Sequence, residues 1–251
     1  MSAQTLYEDE ALLAVDKPAG ALVVRGREGP REPSLLDVLS RERGEKLYVV
    51  HRLDRGTSGV LLLARTAQAH RGLGARFERG EVEKRYLALV RGAPEADFSV
   101  DVALVPARRG KSRPAREGEP GKSARTRFEV LERLGRFALL AAAPENGRSH
   151  QIRVHLKYAG HPLAVDPLYG GNERLTRGDL GLEPPDQGTA GGTAFGRSIW
   201  LEPCEEALLA RTPLHASRVR LVHPLTQAPL EIEAPLPQDF ARLLDVLRAG
   251  G

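Results

Sequence analysis

Cysteine is nearly absent. Cys204 is the single one in 251 residues, which rules out an intramolecular disulfide and a zinc site built from cysteines. Such a chain suits a reducing compartment, and a cytoplasmic location is expected. Long apolar runs are missing too: the longest, Phe137 to Ala143, has seven residues, far short of the roughly 20 that span a bilayer. The N-terminal decade carries Glu8, Asp9 and Glu10, unlike a secretory or transit peptide. The seven histidines show no HExxH or other ligand spacing, and no Walker or dinucleotide-binding loop occurs. Neither a metal nor a nucleotide cofactor is expected, and no membrane partner.

What remains is a chain with 41% hydrophobic and 28% charged residues, an ordinary globular composition with ample material for a core. Its length allows one large domain or two small ones. The net charge of +4 is unevenly spread. Between Pro106 and Arg127 stand Arg108, Arg109, Lys111, Arg113, Arg116, Lys122, Arg125 and Arg127 against only Glu117 and Glu119, a local +6 that leaves −2 for the rest. Residues 106–127 are therefore expected to form a basic loop of the kind that binds a polyanion, the plainer alternative being a solvated linker.

Local signals order the chain. Ser34 with Asp37 three residues on has capping-box spacing for a short helix that Gly44 closes. Thr66 opens a second helix that runs to Arg79 and stops at Gly80, although Gly72 and Gly74 weaken it. Strands are expected at 12–15, 47–50, 60–64, 84–90, 100–104, 126–133 and 136–143, the last two forming a hairpin about Leu134-Gly135. A helix over 149–159, a glycine-rich loop over 170–198, strands at 217–222 and 230–234 and a final helix over 237–247 complete the reading. No repeat is present. Strands and helices without regular alternation predict an α+β fold with a large mixed, mostly antiparallel sheet and flanking helices.

One stretch organises the rest: His51-Arg52-Leu53-Asp54-Arg55-Gly56-Thr57-Ser58-Gly59, followed by the apolar run Val60 to Ala64. Asp54 sits between two arginines on a Gly/Thr/Ser turn at the mouth of a strand buried on both faces, where catalytic groups often lie. Taken alone, the same residues also describe a salt-bridged surface turn. The second stretch, Gly147 to Leu156, reads as a helix with Ile152, Leu156 and Ala159 on its apolar side and His150, Arg153 and Lys157 on the other. With Arg148 at its start, it would offer positive charge to an anion. Taken alone, it is equally a solvated amphipathic helix.

These segments resemble the RluA family of pseudouridine synthases: HRLDxxTSG at 51–59, GRxHQIRxHL at 147–156, and KxYxA(L)V at 84–90. Shorter pieces agree, in the family's order: Val15 to Gly20, Gly160 to Leu163 with Asp166 and Tyr169-Gly170, Leu214 to Ala216, and His223-Pro224. The resemblance implies a pseudouridine synthase fold with a central RNA-binding cleft, and isomerisation of a uridine in ribosomal or transfer RNA without a cofactor. It implies that Asp54 acts at the sugar, Tyr86 stacks on the base, Arg153 pairs with Asp54, and Arg52 fills the space a flipped base leaves. Such a pair has a physical need: water exclusion raises a carboxyl pKa, and a fixed guanidinium lowers it. Arg52 and Arg148 are the expected RNA-binding residues.

Ser149 stands where threonine is commoner, and the segment from Gly171 to Arg211 is longer than expected. A single catalytic domain over 1–251 is predicted, without an N-terminal accessory RNA-binding domain, acting as a monomer. Two other classes stay open. One is a non-catalytic RNA-binding or RNA-folding protein. The other is an N-glycosidase, for which Glu145 is only a remote second carboxylate.

Overall fold

The computed structural model describes residues 3–25, 32–106, 110–181 and 207–250. Strands β1 (Gln4–Glu8) and β2 (Leu12–Lys17) form a hairpin, and helix α1 (Leu35–Arg43) follows. Next come β3 (Tyr48–Val49), β4 (Ser58–Ala64), α2 (Ala67–Arg79) and β5 (Glu83–Arg91). After them stand β6 (Phe98–Asp101), β7 (Leu104–Val105), β8 (Arg113–Pro114), β9 (Arg125–Leu134) and β10 (Phe137–Pro144). The chain continues through α3 (Gln151–Tyr158), β11 (Leu175–Thr176), β12 (Ala207–Leu209), β13 (Leu214–Val222), β14 (Pro229–Glu233) and α4 (Gln238–Ala249). The main sheet has ten strands in the order β1-β2-β4-β13-β5-β10-β9-β6, with β14 added to β13 and β3 to β4. Its pairs are antiparallel except β4 with β13.

Helix ends follow their local chemistry. The Ser34 hydroxyl accepts from Asp37 N–H, the Asp37 carboxylate accepts from Ser34 N–H at 3.0 Å, and Gly44 takes a left-handed φ of 64°. Thr66 Oγ1 accepts from Ala69 N–H at 3.1 Å. Alternation along the strands divides the core between the sheet's two faces. Leu12, Ala14, Val60 and Leu62 pack with α2 through Ala69 and Leu73, while Leu13, Val15, Leu61 and Leu63 pack with α1 through Leu35 and Leu39. Farther along the sheet, Leu89 and Leu139 meet α4, and Ala88, Val90 and Leu140 meet Ile152 and Leu156 of α3. Tyr86 packs into both the α1 and the α3 cluster. Those two helices therefore cover one face, and Tyr86 lies where their clusters meet.

Several boundaries differ from the sequence reading. Helix α3 begins at Gln151 rather than 149, because His150 has a left-handed backbone (φ 57°) that no helix continues through. Buried Gln151 fixes that start: its side-chain amide donates to the carbonyl of Arg125 and to Thr126 Oγ1 at 2.9 and 3.1 Å, and accepts from Arg148 N–H at 3.0 Å. The segment 106–127 is not all loop. It carries β8 and the start of β9, because Leu104, Ser112 and Ala124 are buried and hold it to the body; Arg108 and Arg109 lie outside the described residues. Of the stretch 170–198, the part to 181 holds β11 and a 3-10 turn at Gly178–Leu180, and the rest lies outside the described residues, as does Cys204. Strand β13 starts three residues earlier than 217, and β1 had no expected counterpart. Among the described residues, no helix is long and apolar enough to cross a membrane.

Candidate active site

The loop that carries Asp54 is held from below by Lys17. This side chain is fully buried, and its ammonium donates to the carbonyls of Pro18, Arg55 and Thr57 at 3.0, 3.2 and 2.7 Å. Three protons thus meet three acceptors. Burial lowers the Lys17 pKa to about 8, against the opposing field of Asp54. The Gly20 N–H adds a bond of 2.7 Å to the Arg55 carbonyl. From the side, His51 Nε2 accepts from Leu62 N–H at 2.9 Å while its ring stacks on Phe77 at 4.8 Å. An acceptor nitrogen must be unprotonated, and burial, followed by the charge of Lys84, takes the His51 pKa to about 3. His51 is thus a brace for the strand that follows.

Beyond the loop, β4 and β13 touch in parallel over two residues, Ser58 with His215 and Gly59 with Ala216. The strands approach so closely that a Cβ at Gly59 would sit 2.2 Å from the Ala216 carbonyl oxygen, and its φ of 107° favours glycine as well. Across this seam Ser58 Oγ lies 3.0 Å from His215 Nδ1, whose Nε2 lies 3.2 Å from the Ala234 carbonyl. A carbonyl only accepts, so Nε2 carries the proton and Ser58 donates to Nδ1.

The other bank of the site is α3 with the turn at 166–171. Arg153 Nη1 donates to Asp54 Oδ2 at 3.1 Å. Its stronger commitment is to Asp166, which it grips with Nε and Nη2, both at 2.8 Å. Such bidentate geometry fixes the plane of the guanidinium. Asp166 is fully buried and also accepts from the N–H groups of Leu168 and Tyr169, each at 3.2 Å. Burial works against the charge on Arg153, but the hydrogen bonds and fields of Asp166 and Asp54 outweigh it and raise the pKa. The guanidinium also stacks over the Tyr169 ring at 5.0 Å.

His150 completes this bank. Its Nε2 lies 3.7 Å from Asp54 Oδ1 and its Nδ1 2.9 Å from Tyr169 Oη. The left-handed backbone there costs a non-glycine residue on the order of 1 kcal/mol.

The expected site residues thus divide into two groups. Asp54 and Arg153 are in contact, and half-buried Tyr86 lies close enough that, after burial, the Asp54 charge is the second cause pushing its phenol pKa well up. Tyr86 pairs across the sheet with Ala142 on β10 and Ala216 on β13. Arg52 is exposed and makes no hydrogen bond or ion pair among the described residues. Arg148 is exposed, with Nε donating to the Ser123 carbonyl at 3.0 Å. Glu145 is an exposed surface group facing Arg125 and Arg127, each at 3.8 Å. Lys17, Asp166 and Tyr169 stand in the shorter motif pieces, Val15 to Gly20 and Asp166 to Gly170, yet the sequence assigns them no role. His150 stands in the 147–156 motif and was expected only to add positive charge to the helix face, whereas burial lowers its pKa.

Residues 11–158 match the family described as RNA pseudouridylate synthase. The chain is 37% identical over 250 residues to ribosomal large subunit pseudouridine synthase D of Nitrosomonas europaea, an alignment covering 97% of this chain and 64% of that protein. It is 37% identical over 252 residues to ribosomal large subunit pseudouridine synthase C of Pasteurella multocida, covering 98% and 68%. The chain therefore spans about two thirds of the length of these curated relatives. In structure it is similar to human RNA pseudouridylate synthase domain containing 4, with a TM-score of 0.70 at 24% identity over 98% of this chain and 93% of that one. For human RNA pseudouridylate synthase domain containing 1, the TM-score is 0.66 at 22% identity, with 99% and 95% covered. The fold is that of the pseudouridylate synthases.

Proposed function

The chain belongs to the RNA pseudouridylate synthase family, and on that premise we propose that it isomerises a specific uridine in RNA to pseudouridine. Ribosomal RNA is the first substrate class to test and transfer RNA the second. The observation that carries the reading is the Asp54–Arg153 contact of 3.1 Å, with Arg153 held in turn by buried Asp166. It places one carboxylate, 28% exposed, in a fixed orientation at the mouth of a dry sheet.

The reaction breaks the bond between uracil N1 and C1′, turns the base, and joins C5 to C1′. Asp54 acts at the sugar, either as the nucleophile at C1′ or as the base that opens a glycal route. Arg153 keeps that carboxylate oriented where RNA phosphates would repel it and where water is excluded. A uridine inside a folded RNA must first leave its stack, at a cost of a few kcal/mol. Tyr86 then holds the base against its ring, and exposed Arg52, two residues before Asp54, fills the vacated stack. Arg148 and the basic segment supply salt-dependent phosphate contacts. The chain acts as a monomer. Atoms are conserved overall, so the chemistry calls for no redox or group-carrying partner.

The test is tritium release from RNA labelled with [5-³H]uridine, comparing the wild type with Asp54→Asn. Joining at C5 expels that hydrogen, so release by the wild type alone supports both the reaction and the residue. Release that survives in the variant removes Asp54 from its role. Tight RNA binding without release in any RNA pool favours a binding protein, and free uracil favours a glycosidase.

A further inference from the structure

Proton removal at C5 is the step that the Asp54–Arg153 pair does not serve. Once C5 has joined C1′, it carries both the new bond and its original hydrogen. That hydrogen must leave as a proton, its bonding electrons restoring the C5–C6 double bond, while N1 gains a proton. We propose that His150 Nε2 is the base that takes the C5 proton; this rests on the functional reading above and adds a second catalytic residue to it.

The hydrogen bonds around the imidazole fix which nitrogen is free. Tyr169 Oη donates its only proton to the Ser112 carbonyl at 3.0 Å, a buried contact. The same oxygen lies 2.9 Å from His150 Nδ1, so Nδ1 must be the donor there. Neutral His150 is left with a bare lone pair on Nε2, the nitrogen that faces Asp54 Oδ1 at 3.7 Å. Its left-handed backbone sets the ring ahead of α3 instead of along its flank. The side chains of His150 and Asp54 are 17% and 28% exposed, so both reach the mouth of the site from opposite banks.

The other groups of the site are poorly suited to the task. Tyr86 and Tyr169 hold their phenolic protons tightly, since burial raises both, Tyr169 to about 12. Lys17 spends its three protons on carbonyls beneath the loop. Asp166 has both oxygens committed to Arg153. The groups facing His150 are Asp54 from the first bank, and Arg153, Asp166 and Tyr169 from the second; Lys111 of the basic segment lies over the Tyr169 ring at 5.6 Å. Burial holds the His150 pKa below the ordinary imidazole value despite the Asp54 carboxylate, so the base form prevails at neutral pH. After the transfer, the imidazolium stands beside the Asp54 carboxylate, which stabilises it. It returns the proton to water as N1 is protonated from water, and the sum is an isomerisation.

The experiment is single-turnover pseudouridine formation on RNA carrying hydrogen or deuterium at uridine C5, with wild type, His150→Gln and Tyr169→Phe. Loss of the base makes C5 deprotonation slow. His150→Gln should lower the rate by about 10²-fold, show a larger C5 deuterium isotope effect than the wild type, and lose the wild type's decline at acid pH. Tyr169→Phe, which frees the tautomer, should shift the isotope effect the same way by less, and it decides the matter if His150→Gln does not fold. A wild-type rate in His150→Gln, or a slower rate with an unchanged isotope effect and pH profile, overturns the proposal and leaves His150 a structural part. A wild type that forms no pseudouridine in any RNA overturns the functional reading itself, an outcome distinct from an active wild type with isotope-silent variants.

Discussion

On the floor of the site, Lys17, Arg153 and Asp166 each have at least two partners and little or no contact with water, and together they fix the single open carboxylate of Asp54. The rim is built differently. Arg52 is unpaired among the described residues, Arg148 reaches one carbonyl, and Arg113 shares an exposed pair with Glu119 at the surface of the basic segment. Bond rearrangement at a sugar carbon needs atoms held to a fraction of an ångström, which a saturated, buried network supplies. Attraction to a polyanion needs only charge near its path, and exposed arginines that follow the backbone serve that without rigidity. The floor should therefore govern turnover and folding, and the rim affinity and its salt dependence.

Substitutions can test this division, taken in order of expected effect. Asp54→Asn should lower single-turnover pseudouridine formation on the order of 10⁴-fold or more, the scale on which removal of a primary reacting group acts, with RNA affinity retained. A comparable loss of binding would mean that the floor also carries affinity. Asp166→Ala leaves the buried Arg153 with one carboxylate instead of two and should cost about 3–5 kcal/mol in urea unfolding; a variant as stable as the wild type would show the floor to be less dry than its burial implies.

Lys17→Met removes the donor that three carbonyls share and should cost about 2 kcal/mol. Its pH dependence has a definite sign. The folded pKa of about 8 lies below the unfolded value, so between them the unfolded chain binds the extra proton and alkali favours folding. The urea midpoint of the wild type should rise relative to Lys17→Met as pH increases through 8, and a parallel pair of curves would count against a buried charge. The smallest effect belongs to the rim: Arg116→Ala or Lys122→Ala should leave the rate at saturation unchanged and reduce the salt slope of RNA binding by about 1 for each phosphate no longer neutralised.

What could be read before the structure was whatever is local or repeated in a motif. The Ser34–Asp37–Gly44 caps are one-turn chemistry. The buried strand at 60–64 announces itself by composition, and Asp54 and Arg153 are both motif letters although 99 residues separate them. The unread parts depend on choices made in space. A lysine at a strand end ordinarily points to water, and nothing near Lys17 discloses that two of its three acceptors come from 38 and 40 residues away. Arg153 had one foreseen partner, yet the closer, bidentate one is Asp166. The helix expected from Ser149 starts at Gln151, because nothing local in the sequence marks the left-handed backbone of His150. Basic residues at 113 and 125 read as loop because charge says nothing about the buried Leu104 and Ala124 that pull their backbone into strands.

The seam where β4 meets β13 has a further meaning for how the chain comes into being. Ser58 and His215 are 157 residues apart, so the wall against which the Asp54 loop rests is supplied only long after that loop has been synthesised. Long-range pairing of this kind closes late and slowly. A nascent chain stalled before β13 would carry every letter of the HRLD motif and still lack its seat. The Asp54 carboxylate is thus timed as well as placed: its loop comes into register only after β13 has joined β4.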